Sequence, residues 1–212
     1  DFQQILCKRG TGGAYEMQID PWQGGTVTAD WVRSSSIVTD GKWHNVIVTY
    51  DFNSSLAIMY VDGIQDDVGA IESDYSASSD GPLHIGADSY QGEYFDGFIK
   101  EVAIWVDALD ASEVTSIYNS GKGVDLSTNS ALGGDNGIRG YWPLNAGFGD
   151  IVTDVASTRS TDPVVNGTIY GAQWTTENPI PNWYNDSSGE PVEVSIISSN
   201  GPFDLTIDAS RL

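Results

Sequence analysis

Two kinds of side chain in this sequence could do chemistry: carboxylates on loops, and aromatic rings in polar surroundings. Asp and Glu number 30 against nine Lys and Arg, a net charge of −21, and Asp outnumbers Glu 22 to 8. A hard cation such as calcium wants several oxygens, which carboxylates and loop carbonyls between strands supply. Asp88 and Asp96 bracket one loop and Asp62 sits at a hairpin tip, so these three are the metal-ligand candidates, with calcium as the ion. The plainer reading is that Asp62 and Asp96, each followed by glycine, are turn formers. The EF-hand pattern of spaced aspartates with a distal Glu does not occur. A sugar wants a flat ring beside polar groups, because a pyranose face stacks on it. Tyr90 and Tyr94 beside Asp88 have that composition, as do Trp22 and Tyr75; an ordinary surface aromatic is the alternative at each.

Catalysis finds no footing. Hydrolysis of a glycosidic bond needs two opposed carboxylates; Glu is scarce, Glu113 is accounted for by helix capping, and Glu101 lies inside a strand. His44 and His84 fall on separate strands without metal-ligand spacing, and no Gly-x-Ser-x-Gly elbow or Cys/His pairing is evident. Cys7 is alone and follows Ile5-Leu6, which reads as a core thiol and excludes an internal disulfide. The acidic balance argues against nucleic acid and anionic membrane surfaces as partners. No run is apolar enough to insert in a membrane. The chain starts at Asp1 without Met, so a processed chain or a piece of a longer polypeptide is expected.

The elements that must hold these residues read as strands. Residues 42–51 are rich in β-branched and aromatic side chains, and residues 56–61 alternate Leu56, Ile58, Tyr60 against Ala57, Met59, Val61. Phe52-Asn53-Ser54-Ser55 joins them, and Asp62-Gly63 turns into a third strand. Consecutive Val46, Ile47 and Val48 make the first strand apolar on both faces, as for a central strand covered by another layer. Further strands are expected at 4–8, 15–19, 24–32, 64–68, 82–86 and 97–106. Asp110 and Glu113 have capping-box spacing, Val114, Ile117 and Tyr118 share a helical face, and Gly121 is the natural stop. From 124 to 137 the chain is Gly/Asn/Ser-rich, a boundary candidate. Residues 190–197 and 203–207 read as a terminal hairpin set apart by Pro181 and Pro191.

The run Asp40-Gly41-Lys42-Trp43-His44, the strand end Thr49-Tyr50-Asp51, and Tyr60-Val61-Asp62-Gly63 resemble the laminin-G-like domains of the concanavalin A-like lectin/glucanase superfamily, relatives of the pentraxins. A second segment, Phe95 to Trp105 with a helix behind it, resembles the closing strand of that family. The resemblance covers residues 5–126 and implies an all-β antiparallel sandwich of jelly-roll type with one short helix and a C-terminal extension. It implies core positions for Trp43 and Trp105. The Glu-x-Asp-x-x-Glu strand of the superfamily's glucanases is missing. One or two opening strands of the family are also missing, and residues 139–145 and 166–174 resemble them. Either that segment returns to complete the sandwich or it opens a second copy; the return is favoured by the length left. The expected division is therefore 1–126 body, 127–180 linker and returning strands, and 181–212 appendage hairpin.

The function this implies is recognition or adhesion without catalysis, glycan-directed and calcium-assisted, on an extracellular, cell or virion surface. The partner would be a glycan or surface glycoconjugate. The competing class is a structural or decorating subunit of a large extracellular or viral assembly, whose neighbours would engage the C-terminal extension.

Overall fold

Alternation along Leu56–Val61 sets the layers of the computed structural model, which describes residues 3–10, 13–71, 81–88, 93–105, 107–127, 138–156, 164–175, 196–198 and 204–207. The strands are β1 (Gln3–Gly10), β2 (Gly13–Asp20), β3 (Thr26–Ala29), β4 (Val32–Ile37), β5 (Val46–Asp51), β6 (Leu56–Val61), β7 (Ile64–Ala70), β8 (Leu83–Ile85) and β9 (Val102–Trp105). The helix α1 (Ala111–Tyr118) follows, then β10 (Ile138–Trp142), β11 (Ile151–Val152), β12 (Gly167–Tyr170), β13 (Gln173–Thr175), β14 (Ile196–Ser198) and β15 (Asp204–Ile207). Eight strands form one sheet in the order β11-β12-β15-β8-β1-β2-β3-β4. Facing it are the β5-β6-β7 sheet and the β9-β10 pair.

Ala57, Met59 and Val61 of β6 pack inward with Val27, Ala29 and Val32 of the large sheet. Ile58 and Tyr60 point the other way, where Val114 and Ile117 of α1 cover them together with Ile47, Ile138 and Tyr141. The same split runs through β5: Val46 and Val48 face the inner cluster while Ile47 faces the helix. Both faces of this strand are thus covered, as its three consecutive apolar residues require. Its place is different from the expected one, since β6 is the central strand and, among the described residues, β5 pairs with β6 alone. A third cluster joins Leu83 and Ile85 of β8 to Trp142, Leu144 and Val152, and Trp142 donates its indole N–H to the Val165 carbonyl at 2.8 Å.

Residues 139–142 return to the sandwich by pairing β10 with β9. A bulge between Ile138 and Gly140 lets Ile138 and Tyr141 share the helix-side cluster while Trp142 enters the third one, with Leu83 and Ile85. Residues 24–32 form a hairpin, not one strand: Asp30 takes φ 40° and the chain doubles back from β3 into β4. The expected terminal hairpin also differs, for β14 pairs with β13, whereas β15 lies between β12 and β8. The capping box of α1 is as the sequence implies, and Asn119, in the left-handed region, ends the helix before Gly121 is reached.

Where the two sheets meet, carboxylates close the edge of β4. Asp66 accepts from the backbone N–H of Ser35 (2.6 Å) and Ser36 (3.1 Å), and Asp67 from that of Arg33 (2.8 Å). Unpaired edge N–H groups are thereby satisfied and masked by charge.

Candidate functional site

Of the two aromatic candidates among the described residues, Trp22 and Tyr94, Trp22 is the more exposed, with 76% of its surface open to solvent. Its mounting is rigid. Asp20, only 4% exposed, caps the short 3-10 turn Pro21–Gln23 by accepting the Trp22 N–H at 2.9 Å, and Arg33 pairs with its other oxygen at 3.5 Å. Pro21 presets the first turn position and Gly24 closes it at φ 76°. Gly25 donates to the Asp20 carbonyl at 3.1 Å and accepts from Val38 at 2.9 Å. It lies so close to Thr39 that a Cβ there would fall 1.9 Å from Oγ1. The turn carrying Trp22 is therefore bolted to the segment that leads into Asp40.

That segment carries a charged clasp. His44 lies between two carboxylates, with Nδ1 2.8 Å from Asp62 Oδ2 and Nε2 3.0 Å from Asp40 Oδ1. Burial pulls the imidazole pKa down, but the hydrogen bonds and charges of Asp40 and Asp62 outweigh it and leave the pKa raised. Hydrogen bonds from Lys42 and His44 hold the Asp40 carboxyl well below the usual carboxylate range. Asp62 also accepts the Asn45 N–H at 2.9 Å, so both its oxygens face protein donors. His44 thus sits on a loop before β5, not on a strand.

In the loop with the other metal candidates, the described arms 86–88 and 93–95 pair as in a hairpin. Phe95 N–H bonds to the Gly86 carbonyl at 2.9 Å, Asp88 N–H to the Glu93 carbonyl at 3.2 Å, and Ala87 bridges Tyr94. Asp88 is buried at 2% exposure, whereas Asp96 is exposed and its N–H bonds to the Gln3 side chain at 3.3 Å. Tyr94 is 38% exposed. Tyr75 and Tyr90 lie outside the described residues. Among the described residues no three His, Cys, Asp or Glu side chains converge as a metal site. The structure brings Asp62 to His44, and it sets Asp88, Tyr94 and Asp96 at the same end of the large sheet as Trp22: β2 and β8 both run antiparallel to β1, and Asp96 bonds to Gln3, the strand partner of Ile19.

Other groups with chemical potential are engaged. Pairing of β2, β1 and β8 aligns Glu16, Cys7 and His84 across neighbouring strands, a juxtaposition no sequence spacing signals. Cys7 and His84 are 1% and 5% exposed, which closes the thiol to a substrate from solvent. Tyr141 donates its hydroxyl to Glu101; burial and that carboxylate push the phenol far above its ordinary pKa, and burial of the carboxyl raises Glu101 in turn. Asp154, 5% exposed, accepts backbone N–H groups from Tyr141, Ala156 and Val165. Many of the aspartates, then, serve as backbone caps. No helix among the described residues is long and apolar enough to cross a membrane.

Residues 3–115, more than half of the chain, match the laminin G family described as the concanavalin A-like lectin/glucanases superfamily. The chain belongs to that superfamily. The match spans β1 to β9 and the first turns of α1, and the antiparallel sheets with one short helix are those of a concanavalin A-like sandwich. No curated protein matches the chain. A crystal structure of a Bacteroides ovatus ATCC 8483 protein, described as a "putative carbohydrate binding protein", superposes with a TM-score of 0.54 at 18% identity. The superposition covers 79% of this chain and 50% of that one, so this concanavalin A-like chain spans half the length of its structural neighbour. At that identity the likeness concerns the fold.

Proposed function

We propose that this chain is a carbohydrate-binding module without catalytic activity, acting at an outer surface, with Trp22 as its stacking platform. The observation that carries this is the indole itself: 76% exposed, yet mounted on a turn held by a capping carboxylate and three backbone hydrogen bonds. An exposed ring of this size leaves on the order of 150 Å² for a ligand to cover, about 2–4 kcal/mol of apolar burial. Because the mount is already ordered, little of that is lost to immobilising it. The superfamily and the described role of the structural neighbour support the reading, as does the burial of Cys7, His84 and Tyr141 away from solvent. Calcium assistance, through the hairpin of Asp88 and Asp96, belongs to the proposal as a second arm.

The test is a glycan array probed with the full chain and with Trp22→Ala, each with calcium and with chelator. Wild type is expected to bind a defined glycan class, and Trp22→Ala to lose at least ten-fold in affinity there while melting within about 2 °C of wild type, since its ring supports no core contact. Silence of the folded wild type in both arms would sink the reading. Loss of binding in chelator alone would assign calcium a part.

A further inference from the structure

Beyond the residues that match the superfamily, residues 143–155 and Trp174 build a groove of their own. Its walls are Pro143, Leu144, Val155 and Trp174, with Asn145 and Thr153 as the polar groups, around a space of about 90 Å³. The loop above it is unusual. Leu144 is 1% exposed and sits at φ 57°, a region where a branched side chain is strained and which clusters at functional sites. Gly147 and Gly149, both at positive φ, flank Phe148, which is thrust into solvent at 79% exposure. Three bonds hold this shape: Glu101 N–H to the Pro143 carbonyl (3.3 Å), Ile169 N–H to the Asp150 carbonyl (2.8 Å), and the Trp174 indole N–H to the Gly149 carbonyl (2.8 Å). Tyr170 on the neighbouring strand is 55% exposed.

We infer that this groove is a second saccharide site and that it takes a neutral sugar ring. The inference rests on the carbohydrate reading above. Two aromatic rings, one lining the groove and one raised beside it, offer the apolar surface that a pyranose face covers, while the Asn145 amide and Thr153 hydroxyl offer hydrogen bonds to its hydroxyls. Charge decides the class. Among the described residues no Lys, Arg, Asp or Glu lines the groove, Asp150 stands exposed in the loop, and the whole chain carries −21. A sulfated or uronate-rich glycan would meet repulsion from this net charge, and no described lining residue is a cation that offsets it. The groove borders β11, five strand positions from β2 and the Trp22 turn, or about 24 Å along the sheet. A single ring cannot occupy both positions, so the groove and the Trp22 turn are separate sites.

The experiment uses the full chain on surfaces carrying neutral hexasaccharides of glucose, mannose, galactose or xylose, beside heparin-derived and oligogalacturonate hexasaccharides. Variants are Asn145→Ala, Phe148→Ser, Trp22→Ala and the combinations with Trp22→Ala; Phe148 is too exposed for its loss to unfold the chain, which thermal melting checks. The expected result is binding to at least one neutral hexasaccharide, ten-fold or more above the anionic ones. Binding that survives Trp22→Ala should fall at least five-fold on adding Asn145→Ala or Phe148→Ser. Folded Asn145→Ala and Phe148→Ser chains that bind as tightly as their parents would overturn the groove and leave the Trp22 reading standing. Tighter binding to the anionic sugars would overturn the neutral class, and silence of wild type on every surface would remove both readings together.

Discussion

His44 shows how much a single side chain can tie together here. Its two ring nitrogens join Asp40, beside the Trp22 mount, to Asp62 in the β6–β7 turn. The folded pKa lies above the ordinary 6.5, so the clasp stabilises the fold in full below 6.5 and that contribution is lost as pH rises through the folded value. His44→Gln is therefore expected to cost stability at pH 5.5 and to cost less at pH 8.5; urea midpoints of both proteins across that range measure it. A deficit independent of pH would show that the imidazole charge plays no part. At this scale the exposure of Trp22 was readable in the sequence, because an aromatic beside turn formers, as at Pro21-Trp22, has few places to hide. The carboxylates were harder to read. Asp66, Asp67 and Asp154 look like surface charge in the sequence, and only strand pairing reveals the backbone N–H groups they satisfy.

Elements were legible where the signal is local. The Asp62-Gly63 turn, the alternation of β6 and the Asp110/Glu113 capping box all follow from residues within a few positions of one another. The β3–β4 turn was missed because Asp30 enters the left-handed region without a glycine to announce it. The partners of β15 and β14 are separated from them by many residues, and pairing preference alone does not choose among edges. Gly63 links the two kinds of information. It holds φ 76° as a turn glycine, but its missing Cβ also admits the helix: an added one would lie 2.7 Å from Cδ1 and 2.9 Å from Cβ of Tyr118. Gly63→Ala should then destabilise by about 2–4 kcal/mol, strain and overpacking together. Gly24→Ala, at the same φ but facing open space, should cost only about 1 kcal/mol. Urea denaturation separates the two, and adding Tyr118→Ala should return part of the Gly63 loss and none of the Gly24 loss.

At the scale of the molecule the charge of −21 and the fold oppose each other. The aspartates that cap backbone groups on β4, the Trp22 turn and β10 act at close range as hydrogen-bond acceptors, whereas the charge summed over the whole chain repels itself. Salt distinguishes the two effects by range. The Debye length shrinks from about 30 Å at 0.01 M to about 10 Å at 0.1 M, which screens charges across the sandwich but not a carboxylate 3 Å from its donor. The melting temperature should consequently rise by a few degrees, on the order of 0.5–1 kcal/mol, as sodium chloride goes from 0.01 to 0.3 M. Calcium chloride at matched ionic strength extends the same measurement to the hairpin of Asp88 and Asp96. Screening alone gives nearly the same rise with either salt, whereas a bound ion adds a further, saturable increase with calcium concentration. Replacing Asp96 with Asn should abolish that increment if the hairpin holds the ion, and should leave the screening curve as it was. A melting temperature that fell with sodium chloride would mean that long-range attraction, not repulsion, dominates this surface, and the exclusion of anionic glycans argued from it would lose its basis.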